Sequence, residues 1–283
     1  MKTATSLNVL FDGEFKVSAI EQLDRTCKAG FRYIDMNFWD WGHSPNSPFM
    51  RDNWIDWVKG IKERGDELGV TFRQAHAMVY NPFDTDNPKL EMQIEATKRS
   101  VIGAGILGID WVVFHAVTYK DEDHELNLQK NVEWLIPYVE LALKHNTGMA
   151  IENMNDGGKN IRYTTAAWHL ADLVDTLNSP NVGNCWDIGH AHCQKADQYA
   201  EIMTLGDRLK VLHVQDNNGL QDQHTAPYYG TIDWKLIKKA LVDVNYKGEF
   251  TFEAHTLIRA VPDDCKDTAL KLLFDIGESI CNM

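Results

Sequence analysis

Short apolar runs alternate along the chain with longer stretches in which apolar residues recur every three to four positions. The first pattern reads as buried strands and the second as amphipathic helices. Strand-like runs are Leu7–Phe11, Phe31–Met36, Val70–Ala77, Ile109–His115, Met149–Glu152, Val182–Asp187, Leu209–His213 and Phe250–Glu253. Helical patterning covers Val17–Lys28, Asn53–Glu67, Lys89–Ala104, Leu126–Lys144, Thr165–Leu177, Ala196–Leu205, Trp234–Val244 and Asp263–Cys281. Gly30, Gly69, Gly108, Gly148 and Gly248 stand between helices and the strands that follow. Glycine is a common helix stop there.

Unbroken alternation of this kind implies parallel strands joined by helical crossovers. Eight units in about 250 residues match an α/β fold, the (β/α)8 TIM barrel. A doubly wound open sheet is the alternative, but no GxGxxG follows the first strand. No linker, low-complexity tract or composition shift divides residues 1–283, so a single domain is expected.

A strand covered on both faces should stay apolar until it reaches solvent. Here the ends carry Asp35, His76, His115, Glu152, Asp187, His213 and Glu253, an acid or a histidine on each of strands two to eight. In barrels of this type, functional residues gather at the C-terminal strand ends. Several carboxylates around one mouth repel each other unless cations neutralise them. Glu152, Asp187, His213 and Glu253, from the last four strands, are therefore candidate ligands of a divalent metal.

Composition narrows the partners. Hydrophobic residues make up 44% and charged residues 24%, as in globular proteins. The net charge of −13, from 28 basic and 41 acidic residues, disfavours nucleic acid or an anionic membrane. Five cysteines without a CxxC pair suit a reducing compartment, and Asp12-Gly13-Glu14 interrupts any signal-like stretch. No run approaches the length of a membrane span. A soluble, cytoplasmic protein is expected.

The segments Ala150-Ile-Glu-Asn-Met154, Cys185-Trp-Asp-Ile-Gly-His190, Leu212-His-Val-Gln-Asp216, Gly230-Thr-Ile-Asp-Trp234 and Thr251-Phe-Glu-Ala-His255 resemble the xylose-isomerase-like TIM-barrel superfamily. That group includes sugar isomerases and epimerases, inosose-processing enzymes and endonuclease IV. The resemblance spans nearly the whole chain and is most specific from residue 150 onward. It implies one ion, most often Mn2+ (with Zn2+, Co2+ or Mg2+ as substitutes), held by Glu152, Asp187, His213 and Glu253. It also implies that Glu152 and Glu253 are the catalytic acid/base pair on a sugar substrate. His190, in the Asp-x-x-His spacing after Asp187, is implied to contact substrate oxygen. Together with His76, His115, Asp222 and His224 these positions resemble the nine-residue, three-zinc set of endonuclease IV.

The loops after strands two and three, Asn37-Phe-Trp-Asp-Trp-Gly-His43 and Val79-Tyr-Asn-Pro-Phe-Asp-Thr-Asp86, are aromatic and acidic rather than basic. They suit a sugar better than a duplex, with Trp39 and Trp41 as candidate stacking surfaces. A metal-dependent isomerase or epimerase is the leading expectation. A lyase acting on an oxidised sugar, inosose or glycoside is the alternative, and an endonuclease IV-like phosphodiesterase ranks below it. A homo-oligomer or partner subunit is left open.

Overall fold

The computed structural model describes residues 1–120, 123–156 and 161–283. In chain order the elements are β1 (Thr3–Ser6), α1 (Ala19–Ala29), β2 (Tyr33–Asn37), α2 (Phe38–Gly42), α3 (Trp54–Leu68), β3 (Thr71–His76), α4 (Leu90–Leu107), β4 (Trp111–His115), α5 (His124–Lys144), β5 (Gly148–Glu152), α6 (Ala167–Leu177), β6 (Val182–Asp187), α7 (Ile188–Cys193), α8 (Gln198–Leu205), β7 (Leu209–His213), α9 (Trp234–Asp243), β8 (Phe250–Phe252), α10 (His255–Arg259) and α11 (Lys266–Cys281). Strands β2 to β7 pair in sequence, and β1 lies between β2 and β8, all in parallel. Closure comes one residue past β7. Val214 N donates to Thr251 O at 2.8 Å, and Glu253 N donates to Val214 O at 3.0 Å. The result is the expected (β/α)8 barrel.

The first strand is where the sequence reading misses. Leu7–Leu10 forms a 3-10 turn capped by the Ser6 side chain, and the strand is Thr3–Ser6. Thr-Ala-Thr-Ser looks polar, yet all four residues are buried. Thr3 meets α11, where its Oγ1 donates to Glu278 Oε1 at 2.7 Å. The second strand also differs, running on to Asn37, so Asp35 lies within it rather than at its end.

Strand side chains alternate between the barrel interior and the helical shell. Inside, Val113, Ala150, Cys185 and Val211 form a small apolar cluster separate from the large core under the helices. Each stands two residues before His115, Glu152, Asp187 or His213. The period of two thus stacks the candidate ligands on an apolar floor. The short helices α2, α7 and α10 lie just beyond the ends of β2, β6 and β8. No helix is long and apolar enough to cross a membrane among the described residues.

Candidate metal centre

His76, His115, Glu152 and Asp187 are the last residues of β3 to β6, His213 ends β7, and Glu253 follows β8 directly. Their side chains meet. His213 Nδ1 lies 3.0 Å from Glu152 Oε1 and 3.5 Å from Glu253 Oε2. The other Glu152 oxygen lies 2.9 Å from His115 Nε2 and 3.4 Å from His76 Nε2. Those two imidazole nitrogens face each other at 3.1 Å, so they cannot both carry a proton.

A second cluster adjoins the first. His190 Nε2 is 3.2 Å from Asp222 Oδ2, and His224 Nε2 is 3.3 Å from the same oxygen. His190 Nδ1 is 3.5 Å from Glu152 Oε1 and 3.8 Å from Asp187 Oδ2, which joins the two clusters. Among the described residues four metal-capable groupings result, each with ligand atoms within 4.8 Å of one another: His76–Glu152–His213, Asp35–His213–Glu253, Glu152–Asp187–His190 and His190–Asp222–His224. The four strand-end residues singled out in the sequence are neighbours, but Asp187 groups with His190 and Glu253 with Asp35.

Burial and pairing set the charges. Burial opposes ionisation of Glu152, but His213 and His115 outweigh it and hold the carboxyl well below its ordinary range. Glu253 is likewise lowered against burial, by His213 and His76. Burial pushes Asp187 up to about 6 despite His190. His224 resists burial and is raised to about 9 by Asp222, while His190 is raised well above its usual value by Asp187 and Asp222. Burial wins at His115, which is lowered.

Buried polar atoms left without partners cost about 1–3 kcal/mol each. Glu253 Oε1, Asp187 Oδ2 and His213 Nε2 are three such atoms in this one cluster. Mixed carboxylate and imidazole donors fit a hard or borderline divalent ion. Glu152, Asp187, His190, His213 and Glu253 could hold one, and His190, Asp222 and His224 a second.

The clusters open into a cavity of about 300 Å³ lined also by Asn8, Asn37, Val79 and His255. Trp39 lines it and is 38% exposed, in position to cover a ligand. Trp41 does not. It is 2% exposed and packed on Phe11, Phe15 and Trp57, so its expected stacking role is corrected to a core role.

Three positioning residues were missed in the sequence. Asn153 ties β5 to β6: its Nδ2 donates to Asp187 O at 2.9 Å, and its Oδ1 accepts from Asp187 N at 2.6 Å. Its carbonyl lies 2.8 Å from His190 Nδ1, which leaves Nε2 facing Asp222. Gln215 Nε2 donates to both Asp187 and Asp222. Asp216 organises the next loop, accepting from Tyr228 N, Ile232 N and Trp234 Nε1. The Gly230–Trp234 motif is therefore a scaffold: Trp234 anchors to Asp216, and Asp233 caps α9. The sequence signal for Asn153 and Gln215 was their place beside ligands in the Glu152-Asn153 and His213-Val214-Gln215 runs.

A (β/α)8 barrel with carboxylates and imidazoles gathered at one mouth defines the class as a metal-capable barrel enzyme fold. Residues 23–270 match the xylose isomerase-like TIM barrel family, and the chain belongs to it. An uncharacterised protein of Sinorhizobium fredii is 36% identical over 165 residues, 56% of this chain, and the chain spans about half (52%) of that relative's length. The D-psicose 3-epimerase of Enterocloster bolteae is 33% identical over 82 residues, 29% of this chain and 26% of that one. The mannonate dehydratase of Oceanobacillus iheyensis is 28% identical over 142 residues, 46% of this chain and 40% of that one. Among solved structures, a D-tagatose 3-epimerase-like protein superposes with a TM-score of 0.76 at 20% identity, covering 100% of this chain and 98% of its own.

Proposed function

We propose that the chain is a divalent-metal-dependent isomerase or epimerase of a ketose or related carbonyl sugar, with Mn2+ the expected ion. The observation that carries this reading is the convergence of Glu152 and Glu253 on one His213 Nδ1, at 3.0 and 3.5 Å, at a sugar-sized cavity of about 300 Å³. A bound ion there supplies positive charge that polarises a substrate carbonyl and acidifies the neighbouring C–H. One glutamate removes that proton and the other, or the same one, returns it. His213 and His115 keep Glu152 ionised, as a base requires. Trp39 covers the sugar from the rim. The test is solvent exchange: the manganese-loaded protein, given a panel of ketoses in D2O, should place deuterium beside the carbonyl. No incorporation across the panel with metal bound would overturn the reading.

A lyase is the second reading, supported by the similarity to a mannonate dehydratase and by an adjoining cavity of about 840 Å³ past Trp39 with room for a substituent. Elimination products in the same assay would favour it. The grouping of His190, Asp222 and His224 supports further ions and, with them, a phosphodiesterase reading. Three bound zinc ions with nicking of abasic DNA would establish that reading over the other two. A single domain, a sugar rather than nucleic-acid partner, and a cytoplasmic location complete the proposal.

A further inference from the structure

We infer that Asp35 is a further ligand of the metal centre, in a cation site formed with His213 and Glu253. This extends the metal-binding part of the reading above and does not depend on the reaction. Asp35 lies in β2, beside Ser6 of β1 and Gln74 of β3. It is fully buried; the Ser6 side chain is near enough to favour its charged form, but neither carboxylate oxygen has a well-formed hydrogen bond among the described residues. One ligand atom each from Asp35, His213 and Glu253 lies within 4.8 Å of the others. Two of those neighbours carry unpartnered atoms of their own, Glu253 Oε1 and His213 Nε2. Four unpartnered atoms in a buried barrel interior, both oxygens of Asp35 with Glu253 Oε1 and His213 Nε2, would be costly to leave together.

Gln74 does not resolve the problem. Its Oε1 accepts from Thr251 Oγ1 at 3.1 Å, and its amide nitrogen points at no acceptor. Turning that nitrogen to Asp35 would satisfy one oxygen and leave Glu253 Oε1 bare. A divalent cation satisfies both carboxylates and the imidazole at once, because oxygen and nitrogen donors are its ordinary ligands. Asp35 reaches the centre from the opposite side of the barrel to Asp187, from β2 rather than β6. Asp35 would then add a ligand from β2 beside His213 of β7 and Glu253 at the end of β8, the two residues it shares with the centre described above.

The test uses metal-free full-length protein titrated with Co2+, without sugar. Asp35→Ala should bind Co2+ at least about tenfold more weakly than wild type. If that variant fails to fold, Asp35→Asn takes its place with the same threshold. Asp35→Cys should gain a thiolate-to-cobalt charge-transfer band in the near ultraviolet. The wild-type spectrum is its baseline, since Cys185 lies close to His213. A nearby charge without ligation would move affinity but would not create the band. Unchanged affinity, or a cobalt-bound Cys variant without the band, overturns the inference. Both measurements with no deuterium exchange would sink only the isomerase reading. No cobalt binding by wild type would sink both.

Discussion

Glu152 stands between imidazoles, with His213 on one oxygen and His115 on the other. A carboxamide in its place keeps the shape but loses the base, and general-base loss costs about 10²–10⁴-fold. Glu152→Gln and Glu253→Gln should each lower deuterium exchange by that range, with circular dichroism unchanged. The apolar floor of Val113, Ala150, Cys185 and Val211 does not rely on either carboxylate. Exchange at wild-type rate in either variant would sink the acid/base assignment. Asp40 makes a second prediction. Burial pushes it from 3.8 up to about 7, against Arg259, and its Oδ2 has no partner among the described residues. A raised carboxyl keeps its proton in the folded state where the unfolded chain has lost it. Its contribution to stability is therefore progressively lost as pH rises from 3.8 to about 7. Asp40→Asn should flatten the melting profile of the metal-free protein between about pH 4 and 7, by up to a few kcal/mol; an unaltered slope would count against it. At this scale the sequence displayed the ligand types, because strand ends are the places where apolar runs break. It did not display facing: nothing in Trp39-Asp40-Trp41 tells which ring lies at the cavity and which lies in the core.

Helix α7 carries the site at the level of elements. It starts at Asp187, whose Oδ1 accepts His190 N at 2.7 Å, and ends with His192 and Cys193. Gly189 lies against Gln215, where any Cβ would be driven into the Gln215 carboxamide. The absence of a side chain at 189 is what lets Gln215 reach Asp187 and Asp222. Gly189→Ala should therefore weaken metal binding by about tenfold and cost about 1–3 kcal/mol through overpacking. Calorimetric metal titration and thermal melting together check this; wild-type values on both would refute the close-approach argument. Seven of the eight strands were legible from apolar runs. The first was not, because Thr3–Ser6 is buried by neighbours that a local pattern cannot reveal: α11 on one side, β2 and β8 at its edges. The short helices at the mouth do not appear in the sequence reading, and the α2 segment reads there as a loop, for a related reason. They are one or two turns long, too short for a helical period to show.

The fold as a whole was legible because parallel βα repetition leaves few closed arrangements, whereas the pairing of ligands across strands depends on barrel register, which no single segment encodes. The same register now sets the molecule's response to pH. Histidines 190 and 213 are raised well above their usual value and His224 to about 9. Such groups stabilise fully below 6.5 and lose that contribution as pH rises through their folded values. Glu152 and Glu253 are lowered, so their contribution is present above 4.5 and is lost as pH falls through their folded values. Metal-free protein should therefore be most stable between those two limits and soften toward alkaline pH. An ion needs the imidazoles without their second protons, so it competes best where the metal-free protein is weakest. At a concentration about 100 times its dissociation constant, an ion adds about 2.7 kcal/mol, roughly 4–5 °C for a chain of this size. The melting temperature of manganese-loaded protein should exceed that of chelated protein by this margin near pH 8, in one cooperative transition, and the gap should narrow toward pH 6. Equal melting of loaded and chelated protein across that range would remove the metal from the centre, and with it the common basis of every reaction proposed for this mouth.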